Sequence, residues 1–132
     1  MIKEITTYIE NNTSFVIGTN LFAISVDPNA VETCLVVRVP APGLANGYLD
    51  GFRQVPLSIY ARATDRFTAW NNINAVFALL DGIHQVSLPV VEGGSTYVCN
   101  IECRTPAFTG LDETERLYEF SMPFDVTVTN IF

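Results

Sequence analysis

The chain has 132 residues, 48% of them apolar and 16% charged, with 14 acids against seven bases and a formal net charge of −7. One lysine and six scattered arginines exclude a protein that grips nucleic acid by its phosphates, since that affinity comes from clustered cations. No apolar run approaches the roughly 18 residues that span a bilayer, and "MIKEITTYIENN" has no continuous apolar stretch, so neither a membrane segment nor a signal peptide is expected.

The length predicts one domain, residues 1–132, with about two thirds of its unfolded surface buried and so a single real core. Few charges beside much apolar surface leave greasy area to be hidden, some of it against a partner.

In chain order, Ile2, Ile5 and Ile9 form one stripe of a short amphipathic helix that fades into the polar "ENNTS". "NLFAISV" (20–26) has strand composition and stops at the Asp-Pro turn "DPNA". "TCLVVRV" (33–39) is nearly all apolar, which predicts a strand covered on both faces.

"PAPGLANGYLDGF" (40–52) combines two prolines, three glycines and Asn-Gly and Asp-Gly pairs, so it reads as a loop. Its Leu44, Tyr48, Leu49 and Phe52 are too apolar for a purely solvated one. A loop of that length in a compact domain usually has work to do. Two readings stand side by side: a long hairpin tip with its own packing, or an arm that folds against another subunit.

"RQVPLSIYARAT" (53–64) alternates Val55, Leu57, Ile59 and Ala61 against Gln54, Ser58, Tyr60 and Arg62, a half-buried strand. Its Pro56 hints at a sheet edge or at an amide that makes no ladder bond. A second helix follows, capped by Thr64 or Asp65, with Trp70, Ile73, Phe77 and Leu80 on its apolar face and Asp81-Gly82 as its stop. Asn71, Asn72 and Ala75 give it a watery back.

"HQVSLPVV" (84–91) and "STYVCNIECRT" (95–105) read as strands joined through "EGG", with Tyr97, Cys99, Ile101 and Cys103 on one face. "TPAFTGLDETER" opens as an acidic, turn-rich loop. From there Tyr118, Phe120, Met122, Phe124, Val126 and Val128 alternate with Glu119, Ser121, Asp125, Thr127 and Thr129 in a long last strand. The predicted class is α+β: a mainly antiparallel β-sheet with two helices packed on one face, in the order α-β-β-β-α-β-β-β.

Chemistry is sparse. His84 is the one histidine and has no nucleophile near it in sequence, so a surface or cap role is expected. Cys99 and Cys103 share a strand face about 13 Å apart at ~3.3 Å per residue, beyond the about 7 Å that a disulfide allows. Free thiols are expected, and no cysteine spacing suggests zinc. The acids Asp112 to Glu115 read as a solvated loop, and the glycines form neither a dinucleotide fingerprint nor a P-loop. No catalytic residue, metal site or cofactor is expected.

The closing segment "TPAFTGLDETERLYEFSMPFDV" resembles that of small siphophage proteins of the tail terminator or minor capsid family. In that family a proline and a Gly-x-Asp loop lead through an arginine into an aromatic alternating strand. Pro106, Gly110, Asp112, Arg116, Tyr118 and Phe120 stand at the matching positions. Upstream, "VPLSIYARATDRFTAWNNINAVFALL" is similar to the family's strand that ends in an arginine before the second helix, here Arg62.

The resemblance implies a non-enzymatic ring, six-fold in lambda-like phages. Such a ring binds the last ring of the tail tube, stops its polymerisation and offers the surface that joins the head. It implies as partners further copies of this chain, the tail-tube protein and a head-side connector protein, with DNA only passing through. The place implied is the neck or tail end of the virion, after assembly in the host cytoplasm.

On that reading Leu44, Tyr48, Leu49, Phe52, Ile131 and Phe132 are expected at contacts between subunits or with the tube. Arg62 and Arg116 are expected to pair with acids such as Asp112 inside the fold. A connector, minor capsid or tube subunit is the alternative within the class. A small ligand-binding or enzymatic α+β domain is the alternative outside it.

Overall fold

The computed structural model describes residues 2–24, 33–38, 44–45, 53–93, 97–103, 108–112 and 117–131, the strands at 44–45, 108–112 and 129–131 and position 53 by backbone pairing alone. Its elements run α1 (Ile2–Asn12), β1 (Leu21–Ala23), β2 (Cys34–Arg38), β3 (Leu44–Ala45), β4 (Arg53–Ala63), α2 (Arg66–Leu80), β5 (Ile83–Ser87), β6 (Tyr97–Cys103), β7 (Phe108–Asp112) and β8 (Leu117–Ile131). One sheet holds them in the order β1-β2-β4-β8-β6-β5, with β3 beside β4 and β7 beside β8. All its pairings are antiparallel except β1 with β2. The class is therefore α+β, as expected, with four strands in each half where the sequence pattern predicts three.

The two additional strands, β3 and β7, lie in segments whose turn chemistry reads as loop. The reason is the length of their partners. β2 pairs with β4 only as far as Arg38↔Ser58, and β3 takes up Gln54 and Arg53. Likewise β6 covers β8 from Phe124 onward, and β7 covers Leu117 to Ser121. A long central strand needs partners for every buried N–H and C=O. Short strands within these two segments are enough to supply them.

These two exchanges of partner explain the prolines. Pro56 falls between the β2 and β3 registers, and Pro123 falls between the β7 and β6 registers. Within the β4–β8 ladder they are near neighbours, Pro56 opposite Asp125 and Pro123 opposite Ser58. A missing N–H costs least where the flanking ladder is already interrupted. The hint that Pro56 marks an edge strand is thus corrected: β4 is central, and the alternative of an amide outside the ladder fits the register.

Helix α1 buries Ile5 and Ile9 completely, with Ile2 partly buried beside them. It ends as side chains take over its last carbonyls: the Asn12 amide donates to Tyr8 and the Thr13 hydroxyl to Ile9. Helix α2 starts at Asp65, whose carboxylate accepts from the Thr68 amide (3.0 Å) and hydroxyl. It ends at Asp81, with Gly82 following at φ 77°, a conformation a glycine adopts without strain. The Asp81 carboxylate then accepts from the Cys103 amide (2.8 Å), and the Gly82 amide donates to Ile101, so the end of α2 is tied to β6.

The buried stripe of α2 is Ala69, Ile73, Val76 and Leu80. The expected stripe of Trp70, Ile73, Phe77 and Leu80 is therefore rotated toward the small side. Ala69 brings the helix close to the sheet, while Trp70 remains 44% exposed and sets its ring edge-on against Phe120 at 5.3 Å. Asn71 and Ala75 face water, as expected.

The main core lies between the helices and one face of the sheet: Leu21, Leu35, Val37, Leu57, Ile59, Ile101, Phe124, Val126 and Val128 meet Ile5, Ile9 and the α2 stripe there. On the far face Phe22, Cys34 and Val36 form a small second cluster with Tyr60. β2 is accordingly buried on both faces, which is why its sequence does not alternate. Tyr97, Cys99, Ile101 and Cys103 do share the core face.

Candidate subunit interface

The expected contact residues fall on two remote stretches of sequence, and pairing brings the described ones to the same end of the sheet. Leu44 is opposite Gln54 and Ala45 opposite Arg53, at the start of β4. Arg53 is opposite Val128, and Ile131 pairs with Tyr97 just beyond. The β4 register ends at Arg53↔Val128, and beyond it, among the described residues, Asn130 and Ile131 pair with Val98 and Tyr97 of β6, with Thr129 as the extra residue of a bulge. Tyr48, Leu49, Phe52 and Phe132 lie outside the described residues.

The motif residues gather at the opposite end. Arg62 stands in one cross-strand row with Cys34 on one side and Glu119 on the other, and Glu119 in turn is opposite Gly110. Asp112 pairs with Leu117 in β7, so this member of the acidic segment read as loop lies in a strand. Pro106 and Arg116 are outside the described residues, as is any pairing of Asp112 with either arginine.

Burial raises the Cys34 thiol above its ordinary value, opposed by the Arg62 guanidinium beside it, while Glu119 pushes it further up. The Arg62 Nε is buried and, among the described residues, has no hydrogen-bond partner. None of the three cysteines forms a disulfide; Cys34 and Cys99 are buried and Cys103 is half-buried. His84 is exposed on β5. Among the described residues no cluster of three or more His, Cys, Asp or Glu has the arrangement of a metal site, and no helix is long and apolar enough to cross a membrane.

What the surface does offer is apolar and local. Phe67 is 67% exposed on the first turn of α2, and Arg66 lies over both its ring (5.8 Å) and that of Tyr118 (5.9 Å). Trp70, edge-on to Phe120, follows one turn further along α2. Val90 is 72% exposed just past β5. At the other edge of the sheet, Val16, Ile17 and Ile24 are exposed beside β1.

Sequence pattern misses these positions for identifiable reasons. It extends the β5 strand through Val90, whereas β5 ends at Ser87, and Pro89 is the signal that it should stop. Spacing alone puts Trp70 in the core.

A family model of bacteriophage tail terminator proteins matches residues 8–130. The chain belongs to that family. This agrees with the resemblance of its closing motif. Among solved structures, a chain in the virion of a native gene transfer agent particle is similar at 16% identity, with a TM-score of 0.56 over 84% of this chain and 79% of that one. At that identity the likeness is one of fold. No curated protein matches. As a tail terminator family member, the protein is a structural component of the phage tail, and its surfaces are to be read as places of association with other structural proteins of the particle.

Proposed function

We propose that this chain closes into a ring, six-fold as in lambda-like phages, that caps the tail tube, stops its polymerisation and presents the surface to which the head joins. The family match over residues 8–130 carries this reading. The geometry is in keeping with it: exposed apolar groups stand at separate places on a small protein, as a contact between unlike patches requires. The partners are further copies of the chain, the tail-tube protein and a head-side connector. DNA passes through without being bound, which suits a net charge of −7 because a basic lining would hold phosphates.

The role is structural, with no catalysis and no cofactor, at the tail end or neck of the virion after assembly in the host cytoplasm. Leu44, Tyr48, Leu49, Phe52, Ile131 and Phe132 contribute to contacts with neighbours or tube. Arg62, Pro106, Gly110, Asp112 and Arg116 hold the approach to β8.

Purified tail-tube protein assembled with and without the chain tests this by electron microscopy. Tubes of limited length carrying a terminal ring are expected. Tubes lengthened by incorporation of the chain would make it a tube subunit, and tubes left unchanged and uncapped would overturn the reading. Deleting residues 44–49 should leave a folded protein that no longer forms rings, and a deletion variant that assembles normally removes that loop from the interface.

A further inference from the structure

The two edges of the sheet are closed to strand addition, each by its own device. Beside β1 the chain folds back: the Gly18 amide donates to Leu21, the Leu21 amide donates to Val16, and Ile17 bridges to Leu21. On β5 an extra residue between Ile83 and Val86 makes a bulge. There Gln85 sits at φ 49° and gives its amide proton to the Asn100 side chain (2.6 Å). Edges treated this way do not template a neighbouring strand. Copies that meet edge to edge must do so through side chains.

Among the described residues, each edge carries exposed apolar surface close to an exposed charge, and these two charges are opposite. At the β1 edge Ile24 is 67% exposed at φ 74°. A β-branched residue is a genuine outlier there. It is held by its amide bond to Val37 (2.8 Å) and by the Arg38 guanidinium, whose Nε donates to the Ile24 carbonyl at 3.1 Å. Arg38 also lies over the Tyr60 ring at 5.0 Å, so its charge is fixed beside Ile24. At the β5 edge Val90 projects with Glu92 exposed two residues on. Strained positions of this sort cluster at functional sites.

We propose that Ile24 and Arg38 of one copy meet Val90 and Glu92 of the next, and that this unlike pair of edges is the contact that closes the ring. The proposal rests on the ring-forming reading above and names its two faces. The edges lie on opposite flanks of the sheet, five strand spacings apart, about 24 Å at ~4.8 Å each. The patches are also offset along the strands. Ile24 is level with Arg38 and Ser58, whereas Leu88 is level with Tyr97 at the far end. Neighbouring copies joined through these offset patches therefore meet with their strands tilted to the ring axis.

The test uses full-length protein by sedimentation velocity and native mass measurement, alone and on assembled tail tubes. Ile24→Gly removes the contact and the strain together, so it should raise the thermal midpoint of the monomer while weakening ring formation at least about ten-fold, the scale of a hot-spot loss. Val90→Asp should do the same to assembly with the midpoint unchanged. An equimolar mixture of the two variants has one intact junction and should give dimers but no rings.

Rings from either variant at wild-type concentration would overturn the proposal and leave the ring reading standing, as would a mixture that stays monomeric. Wild-type protein that forms no ring alone or on tubes would overturn both.

Discussion

The two edges of this sheet solve one problem in different ways. At β1 the solution is added chain: the turn from Val16 to Leu21 lies against the start of the strand and takes up the amide and carbonyl of Leu21. At β5 the solution is a defect within the strand, a one-residue bulge whose Gln85 amide is given to Asn100. An edge covered by chain stays covered unless the turn unfolds. An edge closed by a bulge depends on one side-chain bond, so it is the weaker of the two closures. Between them the centre has no such latitude, since β8 is paired on both sides along most of its length.

The largest difference between centre and edge should appear at Phe124. Fully buried on β8 between Leu57 and Cys103, it should lose about 3–5 kcal/mol as Phe124→Ala. Val90→Ala at the edge should stay within about 0.5 kcal/mol. Urea unfolding of both variants checks the ranking, and comparable losses would mean that the edge is part of the core.

Cys99 sharpens the same contrast through pH. Burial pushes its thiol up to about 11 from 9.0. A proton is therefore held in the folded state that the unfolded chain gives up near pH 9. Its contribution to stability is complete below pH 9 and is lost as pH rises from there to about 11. The loss is about 2–3 kcal/mol, since each ten-fold difference in proton affinity is worth ~1.4 kcal/mol. Stability measured from pH 8 to 11 should fall less steeply in Cys99→Ala.

How much of this was legible depends on whether a residue's role is set by its neighbours in sequence. The β8 alternation, the free thiols, the Asp65 and Gly82 ends of α2 and the doubly covered β2 were readable, because side-chain period and cap chemistry are local. β3 and β7 were not, because they exist only by virtue of unpaired lengths on β4 and β8 that no local pattern announces. The closing motif could point to a phage tail protein, but not to the exposed Ile24 or Val90, whose exposure follows from where strands end. Spacing could place Trp70 and Ala69 on one side of α2 but not decide which of them touches the sheet.

Pro56, where β4 exchanges β2 for β3 as its partner, gives an intermediate effect. Ser58 lies two residues beyond Pro56 but in register with Arg38 of β2. Ser58→Pro should remove a ladder bond there and cost about 2–3 kcal/mol. Pro56→Ala, where the flanking ladder is already broken, should cost under about 1 kcal/mol. Equal costs would mean that the exchange of partner beside Pro56 does not relieve its missing donor.

The smallest effect is the one that tests the edges against each other. Asn100→Ala removes the acceptor of the Gln85 amide proton, and because both groups lie near solvent the loss should be about 1 kcal/mol. Its consequence for association should be larger than for stability. With the side-chain bond gone, the bulge has less to hold Gln85 at φ 49°, and a straightened β5 would present a regular row of amides and carbonyls to another chain. Irregular, concentration-dependent aggregates should then appear in light scattering. Gln85→Gly in the same background should suppress them by making the bulged conformation free of strain. An Asn100→Ala protein that stays as dispersed as the wild type would show that the backbone around the bulge, and not this one side chain, keeps the edge closed.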